Sequence, residues 1–493
     1  MNGTLLLLVM LVALGVTGVA HNRQIQPGLI IVLLGSAASF LPGLPRLELA
    51  PEFILGVVIP PLLYSAAYNV SLWHFIRNIR AIVGLGVSLV AVTTVVIGYV
   101  AQWLLPSLGL ATCFLLAAVL SPPDTVTSVT HGRDLGLTRR VQDILLGESL
   151  VNDAMALTLF ALALSATTSS HIVSDNPLLL FLYEAVLGIM VGALLAALGM
   201  VVRVRMKHPS LEVAFGFILP FAAYLTAEYF HASGILAVVT AAFLVSINTL
   251  YDPRMHSAST YLTRLKESEF WSVVDTLLEA FVFAYMGLQL RFVLEDLRGS
   301  SDTFGQTLTA GVLILLAVMG LRLLWVLLFF GPIRARWKDR PRRGKRPRQP
   351  PKAQLSWQEN LLIGWTGMRG IITLAAAAGV PLTLANGEPF PGRAAIQAIA
   401  FIVAVGTLLI QGSTLPLVSR TLKIDLKADD TREAQELEQA QGIVQQAPTG
   451  DYNAQRLALA SALRTNEVDE RAARILTNRL DLEQAAKEAA GEV

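Results

Sequence analysis

Gly147-Glu148-Ser149-Leu150-Val151-Asn152-Asp153 places two carboxylates, an amide and a hydroxyl within two helical turns. The stretch around it, 144–168, is otherwise apolar. A carboxylate inside a membrane span is costly and by default marks an ion or proton path. On a helix, Glu148 and Asn152 share one face, and Ser149 and Asp153 share the next. Ser149 and Asp153 can therefore offer oxygens to one hard cation such as sodium or lithium. The competing reading is that Asp153 only hydrogen-bonds a neighbouring helix.

The rest of the chain supports a membrane setting. Of 493 residues, 54% are hydrophobic and only 15% charged, and the mean hydropathy is +0.58. Soluble domains carry about 25% charged residues. Apolar runs long enough to cross a ~30 Å hydrocarbon core recur from end to end. They predict an all-α polytopic membrane protein with about 13 spans, at 4–20, 27–41, 51–69, 80–105, 108–130, 144–168, 178–202, 211–230, 234–249, 271–290, 306–331, 358–384 and 393–419. The first run has no basic region before it and reads as a span rather than a signal peptide. The single cysteine, Cys113, excludes an intrachain disulfide.

Alternate loops hold 22 Lys and Arg, ten of them in 332–357, whereas the intervening loops hold only Arg46, Arg291, Arg298 and Arg393. The positive-inside rule then predicts an outside N-terminus and a cytoplasmic C-terminus in a cell (inner) membrane. The basic loop 332–357 reads as a topology signal or an anionic-lipid contact, not as a nucleic-acid site. Residues 1–420 form the membrane domain. Residues 421–493 turn to Glu, Gln, Ala and Arg and read as a small cytoplasmic tail, with helical stretches near 429–445 and 452–490. Its apolar positions Leu457, Leu459, Leu463, Val468 and Ile475 are loosely spaced for an amphipathic helix.

Most charges sit at loop edges. Asp124, Glu148, Asp153, Glu228, Arg322 and Arg369 lie too deep to reach water, with Glu184 and Glu279 nearer span ends. Ser121-Pro122-Pro123-Asp124-Thr125 interrupts the span 108–130, because two prolines remove two backbone donors. A broken helix at membrane depth is tolerated where it lines a cavity or is buried in protein. Asp124 there either caps the second half-helix or helps bind an ion. Gly364-Trp365-Thr366-Gly367-Met368-Arg369-Gly370 surrounds a deep arginine with glycines and suggests a close, locally unwound crossing. A guanidinium at that depth needs a partner, and Glu148 is the expected one, in a structural ion pair with Arg369. Asp153, with Asp124, Ser149, Asn152 and Thr125, is then left to bind the cation or the proton. The rival assignment gives the transport role to Glu148. Glu228 reads either as a vestibule residue or as a helix end. Pro60-Pro61 in the third span reads as a structural break.

These motifs resemble the monovalent cation:proton antiporters of the sodium–proton exchanger type, especially bacterial members. The resemblance covers about 1–420 and rests on 147–153, 121–124, 367–370, Pro60-Pro61-Leu62-Leu63 and 281–287. It implies two inverted repeats with crossed broken helices, one bundle forming a homodimer interface. It also implies an Asn–Asp pair associated with electroneutral exchange, and a Glu–Arg pair at Glu148 and Arg369. Two departures stand out: Pro123 where many relatives have Thr, and Ser65 where many have an acid. The expected function is exchange of Na⁺ or Li⁺, possibly K⁺ as well, for H⁺, in pH and sodium homeostasis. No cofactor is expected beyond the transported ions, and no enzymatic activity. The alternatives are a cation channel or an ion-coupled symporter. ATP drive is disfavoured, since no Gly-x-x-x-x-Gly-Lys-Ser/Thr loop is present.

Overall fold

The computed structural model describes residues 3–22, 27–47, 49–50, 53–124, 137–168, 177–206, 208–251, 260–299, 304–330, 355–384, 387–424, 426–448, 450–465 and 467–490. Among them, the secondary structure is helical, apart from two isolated backbone bridges. In chain order the α-helices are α1 (Gly3–Asn22), α2 (Pro27–Ala38), α3 (Ile59–Tyr68), α4 (Leu72–Val83), α5 (Val90–Leu104), α6 (Leu110–Leu120), α7 (Arg139–Thr168) and α8 (Pro177–Arg205). Then follow α9 (Pro209–Tyr229), α10 (Gly234–Tyr251), α11 (Thr260–Gly299), α12 (Phe304–Phe330), α13 (Trp357–Trp365), α14 (Ile371–Ala378), α15 (Arg393–Thr407) and α16 (Ser413–Leu422). The tail adds α17 (Lys427–Gln446), α18 (Tyr452–Arg464) and α19 (Glu470–Ala490).

Among the described residues, seven helical stretches are long and apolar enough to cross a membrane, and five shorter apolar ones accompany them. The half-helices α13 and α14 fill the remaining expected span, 358–384. On α8, Val186, Met190 and Leu194 stand well exposed along one side, as lipid-facing residues do.

Three π-helical turns, at Ile54–Val58, Gly84–Leu89 and Leu408–Gly412, interrupt this pattern. The first has a direct cause. Pro60 and Pro61 lack the N–H groups that would close α-helical bonds to the preceding turn. The second joins α4 to α5. There a Cβ on Gly86 would lie 2.9 Å from Val151 Cβ and 3.2 Å from the Asn152 nitrogen, so the absence of a side chain lets this helix press against α7.

The chain divides into two compact units. One comprises 1–51, 80–170 and 280–426; the other comprises 52–79, 171–279 and 427–493. In the first, Leu85, Leu89, Val141, Ile144, Leu145, Val326, Leu362 and Ile363 form a buried apolar cluster beneath the candidate site. In the second, the buried Arg203–Glu267 pair (2.9 Å) lies beside Tyr68, whose hydroxyl is 3.4 Å from Glu267 Oε2.

The tail belongs to the second unit and has three helices where two stretches were expected. The 452–490 stretch breaks between α18 and α19, where the Glu467 nitrogen donates back to the Ala462 carbonyl at 2.9 Å. Leu459, Leu463 and Val468 join the tail's own core, whereas Ile475 is exposed. Asp469 and Glu470 bond His74 (2.8 Å) and Ser71 (2.6 Å) at the start of α4. Residues 331–354, nearly all of the basic loop 332–357, lie outside the described residues.

Candidate functional site

The site lies in the first unit, where two broken helices meet. The helix α6 stops at Ser121 because Pro122 and Pro123 cannot donate, and 122–124 runs on without helical bonds. The other break has a well-defined lead-in. Ser356 and Glu359 form a reciprocal capping box at the start of α13, and the Thr138 hydroxyl donates to Glu359 Oε1 at 2.6 Å. Between α13 and α14, 366–370 leaves the helix. The two extended segments are joined by an antiparallel bridge, in which the Asp124 nitrogen donates to the Met368 carbonyl at 2.6 Å.

Among the described residues, three half-helix ends, those of α6, α13 and α14, therefore meet at one place, and charges are arranged to suit them. Arg369 lies at the carbonyl end of α6. Its Nε donates to Leu120 O at 3.0 Å, its Nη1 to Gly367 O at 2.5 Å and its Nη2 to Ser121 O at 3.4 Å. A cation is favourable at a helix C-terminus, where carbonyls are left unpaired. Asp124 lies at the N-terminal end of α14, and a Cβ on Gly370 would fall 1.9 Å from its Oδ2. A carboxylate there complements the positive end of the half-helix. Gly370 is thus required by close approach, and so is Gly367, whose Cβ would lie 2.0 Å from Arg322 Cδ.

The expected Glu148–Arg369 pair does not form. Glu148 binds Arg322 from α12 instead: Nη1 donates to Oε1, and Nη2 to Oε2 at 3.0 Å. Arg322 also donates to the Ile363 carbonyl from Nε (3.2 Å) and Nη2 (3.0 Å). Glu148 is 0% and Arg322 1% exposed. The physical reason is the break itself. Helix interruption leaves Leu120, Ser121 and Gly367 with carbonyls to offer, and these occupy the Arg369 guanidinium. Arg322 has no such supply within its unbroken helix and takes the carboxylate. The sequence did mark Arg322 as a deep charge, but not which arginine the fold brings to Glu148.

Asn152 and Asp153 stand one turn further along α7. The Asn152 Nδ2 donates to the Pro123 carbonyl at 2.9 Å, tying α7 to the first break. Its Oδ1 is buried and accepts no bond from the described residues. The Asp153 carboxylate is partly buried, receives no hydrogen bond from them either, and lies within electrostatic reach of Asp124 and Glu148. Ser149, 5% exposed, is one turn back on the same face. The structure thus brings Asp153, Asp124, Asn152 and Ser149 into one neighbourhood. Thr125 lies outside the described residues. Glu228 is not part of this cluster. It is exposed at the end of α9, and its side chain accepts from the Gly234 backbone.

Such an arrangement can hold a small cation among oxygens or a proton on a carboxylate. Among the described residues no group of three His, Cys, Asp or Glu forms a resident metal site.

Comparison with known proteins agrees. The chain is 29% identical over 443 residues to an uncharacterised Na⁺/H⁺ exchanger of Mycobacterium tuberculosis, covering 88% of this chain and 77% of that one. It is 31% identical over 418 residues to a sodium, potassium, lithium and rubidium/H⁺ antiporter of Bacillus pumilus, covering 82% of this chain and 59% of that one. The fold matches the sodium proton antiporter MjNhaP1 of Methanocaldococcus jannaschii with a TM-score of 0.65, at 19% identity, over 85% of this chain and 98% of that one. The family model for the transmembrane sodium/hydrogen exchanger matches residues 4–421. The crossed breaks, the Asn152–Asp153 pair and this match across the membrane domain together place the chain in the sodium/hydrogen exchanger family.

Proposed function

We propose that the chain is a secondary antiporter exchanging a monovalent cation, Na⁺, Li⁺ or K⁺, for H⁺. One observation carries the site assignment: Asp153 presents a carboxylate with no hydrogen-bond donor among the described residues, beside the equally unpartnered Asn152 Oδ1. A bare carboxylate in a low-dielectric surround is disfavoured by several kcal/mol or more, on the order of the cost of charges at the bilayer centre. A proton or a cation relieves that penalty, and each excludes the other. Neither form crosses empty, so the two fluxes are coupled.

In this reading Asp153 exchanges the proton for the cation. Ser149, the Asn152 carbonyl and Asp124 supply further hard oxygens. The Arg322–Glu148 pair and the Arg369–carbonyl cluster hold the crossing in place. With one carboxylate exchanging one ion for one proton, the cycle is electroneutral. Pro123 offers no hydroxyl, and its carbonyl is already engaged by Asn152.

The loop charges favour an outside N-terminus and a cytoplasmic tail in the cell membrane. Homodimer formation and contact with anionic lipid follow from the family resemblance and the basic loop. Exchange of this kind serves pH and sodium homeostasis, with the ions as the only ligands.

The test is a pH-sensitive dye in proteoliposomes with an imposed proton gradient, to which Na⁺, Li⁺ and K⁺ are added in turn. Proton release with one or more cations, lost in Asp153→Asn, supports the reading and names the ion. Cation flux that leaves the proton gradient untouched overturns it in favour of a channel.

A further inference from the structure

A further membrane-embedded carboxylate, Asp275, takes no part in the crossing described above. It lies on α11, fifteen residues past Thr260, roughly 22 Å along the helix. Its Oδ2 accepts a hydrogen bond from Ser65 Oγ of α3 at 2.5 Å. Its Oδ1 is buried and has no hydrogen-bond partner among the described residues. It lines a cavity of about 600 Å³ within the second unit. That volume is in the range of ligand-binding cavities.

The cavity has two chemically different parts. Hydroxyl and amide groups of Asn69, Ser246, Thr249, Ser268 and Ser272 line it together with Asp275, and Ser246 Oγ accepts from Arg474 at 3.3 Å. On the tail side Arg264, Arg456 and Arg474 line it. These arginines are already engaged. Arg264 and Arg456 both bond Asp481, at 2.7 and 2.8 Å, and Arg474 bonds Glu470 at 3.2 Å. Arg456 also lies within electrostatic reach of Glu488. The arginines are thus held by tail carboxylates, Arg264 and Arg456 sharing Asp481, and Asp275 bonds none of the three.

We infer that Asp275, oriented by Ser65 in the tail-roofed cavity of the second unit, is a second binding site for a monovalent cation. A buried carboxylate oxygen without a donor, in a cavity whose lining also offers neutral hard oxygens, suits a partly hydrated alkali cation. An intramembrane carboxylate of this kind marks an ion path by default. The inference deepens the antiport reading and rests on it for one of its two readouts.

The first readout needs no transport. Full-length Asp153→Asn, lacking the transport carboxylate, is purified in detergent, and its melting temperature is titrated with NaCl and KCl against choline chloride. A cation-specific rise over choline is expected, and it should be lost in Asp153→Asn/Asp275→Asn. Equal responses in the two proteins, or no rise over choline in the first, overturn the inference.

The second readout uses wild-type, Asp275→Asn and Ser65→Ala proteins in proteoliposomes. Asp275→Asn should raise the half-saturating cation concentration about tenfold, more than it lowers the maximal rate. Ser65→Ala keeps the carboxylate but removes its donor, and should give a smaller shift in the same direction, which covers the case of an Asp275→Asn protein that does not fold. Unchanged half-saturation in both variants overturns the inference. A wild type with no cation-driven proton release at all overturns the antiport reading instead, and the melting titration then decides this site alone.

Discussion

Glu148 and Arg322 face each other with two hydrogen bonds between one carboxylate and one guanidinium, both side chains sealed from solvent. Removing one partner of such a pair costs about 3–5 kcal/mol, because the other charge stays buried. Arg322→Ala should therefore lower the melting temperature sharply in detergent. Glu148→Gln/Arg322→Met, which leaves no bare charge, should recover most of the loss. Thermal unfolding of the two proteins side by side checks this.

Arg369→Ala should weaken the protein by a different route. Glu148 stays paired, and what is lost is the donor set for Leu120, Ser121 and Gly367. Hydrogen bonds to charged groups contribute about 1.5–3 kcal/mol. In a double-mutant cycle, Glu148→Gln and Arg369→Ala should be close to additive, whereas Glu148→Gln and Arg322→Ala should not. Strong coupling in the first cycle would restore the Glu148–Arg369 pair.

Gly370→Ala should be severe. The added methyl would meet Asp124 Oδ2 at 1.9 Å, so the carboxylate or the half-helix must move. We expect exchange to fall at least tenfold, with a lower melting temperature. Gly320→Ala on α12 meets nothing within 4 Å and serves as the silent control.

The tail contact should weaken in acid. Burial pushes the Asp469 carboxyl up, but the hydrogen bond and charge of His74 and the Arg471 N–H outweigh it and leave the group below its usual range. A carboxyl lowered in the folded state adds stability that is complete above its ordinary value of about 4 and is lost as pH falls through the folded one. Limited proteolysis between α16 and α19 should accelerate below about pH 4 in the wild type. Asp469→Asn should cleave faster at neutral pH and depend less on acid. Identical cleavage of both proteins at every pH would remove His74–Asp469 as a tail anchor.

The membrane class was legible, and the residues of the candidate site stood out, because membrane charges are scarce. A Glu, a Ser, an Asn and an Asp in one apolar run are too costly to bury there unless they bind something, and two prolines or three glycines at depth announce a break. Pairing was not legible. Glu148 had two deep arginines to choose from, 174 positions apart for Arg322, and only the crossing shows that backbone carbonyls occupy Arg369. The π turns at Gly84–Leu89 and Leu408–Gly412 left no sequence signal beyond ordinary apolar runs with glycine. The division of the tail was hidden because 465–469 carries neither glycine nor proline. The missing acid at position 65 looked like a loss from sequence alone, yet Ser65 is bonded to a carboxylate from a distant helix.

The bond from the Asp124 nitrogen to the Met368 carbonyl joins the two breaks through main-chain atoms. No side-chain replacement short of proline at 124 can delete it. The meeting of the two segments is thus fixed by the main chain, apart from the choice of side chains that flank it. Pro123 shows the separation: it withholds a hydroxyl beside Asp124, while the main-chain knot that presents Asp124 stays whole.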